Sequence, residues 1–244
     1  MTKLRVVTVK YLNTKPFING IQRSFTPSEI NLMLDHPAQC AEDLLTGNAD
    51  IGLVPVAAFP ELTGYQIFSD FCIGCNGPVN TVKIYSQSPL SNCNKIFLDY
   101  QSRTSVQLAT LILKNHLNLN ILPVKGYPGF ENEIVRDQAG LVIGDRCFHF
   151  NHTMPYQLDL GQAWKDWTGL PFVFAVWVCK LGTDPQLLHK FNLALNAGVQ
   201  AINKDFTSGE EVFYLTQNLS FSYQEPQKIA LNHFLHQISQ PQFV

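Results

Sequence analysis

The chain is poor in charge. Of its 244 residues 15% are Asp, Glu, Lys or Arg, the formal net charge is -2, and Lys and Arg gather into no stripe. Nucleic-acid binding depends on neutralising phosphates over a basic face, so that class of partner is excluded. Long apolar runs are also missing. The longest, residues 171–179, falls far short of the ~20 residues that cross a bilayer, which argues against a membrane-spanning helix. The first residues hold no apolar export segment, from which a cytoplasmic protein is expected. Neither the phosphate-cradling glycine loop of nucleotide-binding enzymes nor a strand-linked dinucleotide glycine motif is present. The 6 cysteines stand at 40, 72, 75, 93, 147 and 179. Cys72 and Cys75 make a lone C-x-x-C with no second pair at zinc-site spacing. They are read as thiols of a reducing compartment, with a metal or redox role as the alternative. The 7 histidines show neither nucleophile–base nor metal-ligand spacing.

What the chain does have is alternation. With 45% hydrophobic residues it can bury a sizeable core. Short Val- and Ile-rich runs at residues 4–9, 30–34 and 49–56 are separated by amphipathic stretches after Pro16 and Pro37. Three such steps predict a parallel sheet with helical crossovers. Strand-like runs follow at 65–71 and 81–85 around a Gly-rich turn, then a second β-α series from 95 to 143. A continuous aromatic and β-branched strand spans 172–178. Everything after Gly182 reads as helical. The order implies an α/β protein of two lobes. Residues 1–86 and 180–244 would form lobe I and residues 87–179 an inserted lobe II. The crossings are expected near Tyr85 and Pro89 and near Val178 and Leu181. Strand C-terminal ends would face a ligand cleft between the lobes.

Four segments fall at strand ends on that cleft: the turns at Tyr11-Leu12-Asn13, at Gly77 to Thr81, at Asp99 to Ser105 and at Gly144-Asp145. Ser102, Thr104 and Ser105 put hydroxyls where a strand hands over to a helix, whose first N–H groups lack partners and favour an anion. The same residues can simply cap the helix. Arg103 is the one cation of that turn, either paired with an anionic ligand or turned to solvent. Asp145 follows a buried strand and a Gly, a position that suits an active-site acid and equally a turn former. Asn13 does not titrate near neutrality, but its amide can orient a hydroxyl or a carboxylate. Residue chemistry alone stops at a protein that closes on a small anionic ligand, enzyme or binding protein.

The same segments carry a family likeness. Tyr11-Leu12-Asn13 with Pro16, Gly47-Asn48-Ala49-Asp50 running to Pro55, Leu98-Asp99 with Ser102, Thr104, Ser105 and Val106, Ile143-Gly144-Asp145, and the block from Trp164 through Trp167-Thr168-Gly169-Leu170-Pro171 to Trp177 all resemble the chorismate dehydratases of the menaquinone pathway. One departure is Thr81, where relatives often place a serine. The resemblance implies a two-lobed, type II periplasmic-binding-protein-like fold and conversion of chorismate to 3-[(1-carboxyvinyl)oxy]benzoate with loss of water. It implies a dianionic substrate, no metal and no cofactor. Asn13 and Asp145 are then the catalytic candidates, and Tyr11, Thr81, Ser102, Arg103, Thr104 and Ser105 the substrate-binding ones. A solute-binding protein for a small carboxylate and the related 1,4-dihydroxy-6-naphthoate synthase are the alternatives. The likeness sets neither the proton acceptor nor the oligomeric state.

Overall fold

The computed structural model describes residues 3–240. The chain opens with β1 (Leu4–Val9), α1 (Lys15–Ser24), β2 (Ile30–Asp35), α2 (Pro37–Leu45) and β3 (Ile51–Pro55), then β4 (Tyr65–Cys75). Strand β1 pairs in parallel with β2 on one side and β3 on the other. This is the expected outcome of strands joined by helical crossovers. Every residue of β3 is buried, which explains its unbroken apolar run. Pro16 and Pro37 stand in the first turns of α1 and α2, where a missing N–H breaks no helical bond.

A second series follows: β5 (Val82–Ser86), β6 (Lys95–Leu98), α3 (Arg103–Leu111), β7 (Leu122–Lys125), β8 (Gln138–Ile143), α4 (Arg146–Phe150), β9 (Tyr156–Asp159) and α5 (Leu160–Thr168). The chain ends with β10 (Phe172–Lys180), α6 (Pro185–Gln200), α7 (Ile202–Asp205), α8 (Gly209–Phe213), β11 (Ser220–Ser222) and α9 (Glu225–Ser239). The strands form two sheets, ordered β11-β4-β10-β3-β1-β2 and β7-β6-β8-β5-β9.

Sheet membership corrects the expected lobe boundaries. Strand β5, expected in lobe I, pairs with β8 and β9 in the second sheet. Strand β10, expected in lobe II, lies antiparallel between β3 and β4 in the first. The chain therefore crosses between Cys75 and Val82 and returns between Thr168 and Phe172. Periodicity identifies a strand but not its neighbour. The backbone turns away from β4 at Gly77 (φ 128°) and Asn80 (φ 63°), so β4 and β5 part instead of closing a hairpin. The outer ends of the expected lobes, residues 1–2 and 241–244, lie outside the described residues. The tail is also not all helical. Strand β11 pairs antiparallel with β4.

The long family-like block is mostly core. Trp164 and Trp177 are fully buried. Trp177 meets Phe17 and Phe191 edge-on at 5.8 and 5.2 Å, and the Trp164 indole N–H donates to the Pro171 carbonyl at 3.0 Å. Buried aromatics in edge contact add to the area term; the Trp164 indole donor is satisfied, whereas that of Trp177 has no partner among the described residues. Helices α1 and α6 touch backbone to backbone. A Cβ on Gly198 would stand 1.9 Å from the Pro16 carbonyl oxygen, and one on Gly20 2.0 Å from that of Ala194.

Alanine is favoured over glycine in a helix by about 1 kcal/mol, whereas overpacking against backbone costs about 1–3 kcal/mol or more. Gly198→Ala is therefore expected to lower stability by about 1–2 kcal/mol, read as a lower urea midpoint at an unchanged slope. Gly209→Ala, whose Cβ would meet open space, should show no loss.

Candidate active site

A cavity with about 620 Å³ of open space, its mouth included, lies between the two sheets. The first sheet contributes Val9, Leu53, Pro55, Ile73, Phe174 and Ala175, and the second Val82 and Ile143. Tyr11, Asn13, Thr81, Ser102 and Ser105 supply the polar surface, and among the described residues no Lys, Arg, Asp or Glu lines the cavity. The site is thus an apolar slot with a few placed hydroxyls and one amide, as small-ligand sites usually are.

Each polar side chain has an identifiable support. Thr14 ties the turn after β1, its hydroxyl donating to the Val9 and Tyr11 carbonyls at 2.6 and 2.9 Å. Tyr11 donates from the first sheet's turn to Gln101 Oε1 of the second at 2.8 Å. Burial, followed by the nearby charge of Asp99, pushes the Tyr11 phenol up to about 12, so it stays a donor. The Asn13 carbonyl oxygen, Oδ1, is buried and has no hydrogen-bond partner among the described residues. Such an acceptor, withheld from water, is costly unless a ligand meets it. Thr81 is buried, and its hydroxyl shares a 2.8 Å hydrogen bond with that of Tyr214.

The crossing segment before β5 is fixed by one carboxylate. Asp159 accepts from the N–H groups of Val79 and Asn80 at 3.0 and 2.7 Å, and caps α5 through those of Gly161 and Gln162 at 3.0 and 3.1 Å. Gly144 holds the opposite turn at φ 67°, and its N–H donates to the Thr81 carbonyl at 2.8 Å.

The four-residue turn at α3 splits by helical spacing. Ser102 and Ser105, three apart on one face, line the cavity. Ser102 is the N-cap. Its Oγ accepts the Ser105 N–H at 3.1 Å and its O–H donates to Ser105 Oγ at 3.0 Å. Thr104 and Arg103 point elsewhere. Thr104 Oγ1 accepts the Ala57 N–H at 3.2 Å, and Arg103 pairs with Glu61 in an exposed ion pair. Both contacts fasten α3 to the turn Val56–Glu61, and neither residue is in the cavity lining. Arg103, left by the sequence to either an anionic ligand or solvent, meets Glu61 in this structure. Asp145 is exposed at the end of β8 and does not line the cavity; one Oδ takes the Leu12 N–H at 3.4 Å, a long contact.

The profile of the menaquinone biosynthesis family matches residues 4–238. The chain belongs to this family. One relative, the chorismate dehydratase of Thermus thermophilus, is 27% identical over 175 residues, 61% of this chain and 61% of that protein, so the match covers less than two thirds of the relative's length. A protein of Archaeoglobus fulgidus superposes with a TM-score of 0.69 at 16% identity, covering 97% of this chain and 96% of that one. A Parabacteroides distasonis protein described as an ABC transporter gives 0.69 at 15%, covering 99% and 94%. A Candida albicans protein with the generic periplasmic binding protein fold gives 0.64 at 11%, covering 97% and 90%. These structures share the two-lobed α/β fold with this family member.

Two contributors to the site had no signal in the sequence. Tyr214 and Leu219 come from the tail, which carries no recognisable motif, yet Tyr214 backs Thr81 and Leu219 lines the cavity. The C-x-x-C also finds its place. Cys72 and Cys75 are buried at the end of β4, and burial pushes both thiols far above their usual pKa, away from the reactive thiolate.

Behind the cavity Arg146 bridges Asp99 and Glu131, and its guanidinium lies 5.4 Å from the Tyr100 ring centroid. Burial opposes the charge on Arg146, but its two carboxylate partners outweigh that and keep it protonated. The Asp99 side chain has 0% exposure, so removing Arg146 leaves an uncompensated buried carboxylate. Arg146→Met is expected to cost about 3 kcal/mol in denaturant unfolding, the low end for a buried pair because Arg146 retains some solvent contact. Adding Asp99→Asn should recover part of that loss.

Proposed function

We propose that this family member dehydrates chorismate to 3-[(1-carboxyvinyl)oxy]benzoate, supplying an aromatic precursor for menaquinone. The observation that carries the reading is the unpartnered, buried Asn13 Oδ1 in a largely apolar slot that Thr81 also lines. An acceptor and a hydroxyl in one lining suit a ligand hydroxyl, which both donates and accepts. Apolar walls suit the ring, and the Ser102–Ser105 pair at the positive end of α3 suits a carboxylate.

The reaction fits such a site. Loss of the ring hydroxyl and of the neighbouring ring proton aromatises a cyclohexadiene, so the driving force resides in the substrate. The protein's task is to align the departing hydroxyl with the C–H bond and keep water out. Asn13 holds the hydroxyl but cannot accept the ring proton, because its amide does not titrate near neutrality. Asp145 lies outside the cavity lining, so the geometry favours a carboxylate of the substrate itself as the acceptor. The six free, buried cysteines suit a reducing, cytoplasmic setting.

A second reading, a non-catalytic solute-binding protein, draws on the fold that transport proteins share with this chain. Incubating the purified protein with chorismate separates the two. Appearance of the dehydrated aromatic product is expected, whereas tight binding without turnover would leave a binding protein. Asn13→Leu, similar in size without the polar atoms, should lower kcat at least about 100-fold, roughly 2.7 kcal/mol of barrier. Full turnover in that variant removes the role given to Asn13. Ser105→Ala should weaken chorismate binding about tenfold or more, the loss of one hydrogen bond to a charged group. Unchanged affinity would move the carboxylate elsewhere.

A further inference from the structure

We infer that Tyr214, a residue of the C-terminal tail outside the cavity lining, is a positioning residue that sets how the Thr81 hydroxyl faces the departing hydroxyl. The inference rests on the dehydratase reading above.

The geometry begins with an irregularity. After α8 the helix widens over Tyr214–Asn218 into i→i+5 hydrogen bonding, a local form that often accompanies functional sites. The widened turn brings two side chains onto the crossing segment between the sheets. Tyr214 meets the Thr81 hydroxyl at 2.8 Å, and Asn218 Nδ2 donates to the Pro78 carbonyl at 3.2 Å. The next residue, Leu219, lines the cavity. Tyr214 is buried, and its ring stands edge-on to Phe148 at 5.3 Å, so its hydroxyl has a fixed place.

The shared bond fixes the Thr81 side chain and occupies one side of its hydroxyl. With the phenol as donor, Thr81 keeps its own proton to give to the cavity. The lining then offers a donor, the Thr81 O–H, together with an acceptor, the unpartnered Asn13 Oδ1. This polarity matches a hydroxyl better than a carboxylate. Without the phenol the Thr81 proton loses its preferred direction.

The test is Tyr214→Phe, which keeps the ring packed on Phe148 and removes only the hydroxyl. Two quantities are measured, kcat for chorismate and the affinity for the dehydrated product by calorimetry. The product lacks the departing hydroxyl, so its affinity should be unchanged while kcat falls on the order of 10-fold, the worth of one orienting hydrogen bond. Product binding also reports that the variant cavity is folded. The double variant Tyr214→Phe/Thr81→Val should lose no more kcat than Thr81→Val alone, because both changes cut one link. Wild-type kcat in Tyr214→Phe, additive losses in the double variant, or a parallel fall in product affinity overturns the inference and leaves the dehydratase reading standing. A wild-type chain that binds chorismate without dehydrating it overturns both.

Discussion

Four backbone N–H groups converge on the Asp159 carboxylate, two from the segment that crosses between the sheets and two from the start of α5. Hydrogen bonds to an ionised acceptor are the stronger kind, and here they fix loop backbone at the point where the lobes join. The crossing segment carries Val79, Thr81 and Val82 into the cavity wall. The tail presses on the same segment from its other flank, through Tyr214 and Asn218. Held on both flanks, a chain with Gly77 and Asn80 in left-handed conformations keeps a single path. The place of Thr81 in the cavity wall follows from that path.

The charge economy of the cleft has a parallel logic. Three cations flanking the cavity are already engaged: Arg146 with Asp99 and Glu131, Arg103 with Glu61, and Lys83 with Asn151 and Gln157 at 3.0 and 3.2 Å. The slot is left to hydroxyls, an amide and a helix N-terminus. On the proposed reading, such a site would hold an anion without a permanent partner of opposite charge, and with it a ring and a hydroxyl. Free cations in a dry slot would carry a desolvation cost whenever the ligand leaves.

The family-like blocks divide into two physical kinds. The longest, from Trp164 to Trp177, is chiefly core, and its specificity as a signature comes from close-packed aromatics that tolerate little change in volume. The short strand-end segments reach the cavity, and within them neighbours part ways. Ser102 and Ser105 face the ligand space, whereas Arg103 and Thr104 bind the turn at Ala57 and Glu61. Helical spacing explains the division afterwards, but the cap had to be placed at Ser102 before the faces could be assigned.

The sequence by itself determined the α/β class, the parallel pairing of β1 with β2 and β3, the two-lobed plan and the strand-end position of Tyr11, Asn13, Thr81, Ser102 and Ser105. These follow from local periodicity, from Pro and Gly at element ends, and from the rule that ligands meet strand C-termini. Tertiary structure alone decided that β5 leaves the first sheet and β10 returns to it, because strand pairing is a long-range choice that alternation along one strand does not encode. It decided as well that Arg103 serves Glu61 and that Tyr214, more than 130 residues from Thr81 in sequence, stands behind it. A widened helical turn and a shared hydroxyl bond leave no periodic trace in the chain, and they exist only once the tail has folded back across the crossing segment.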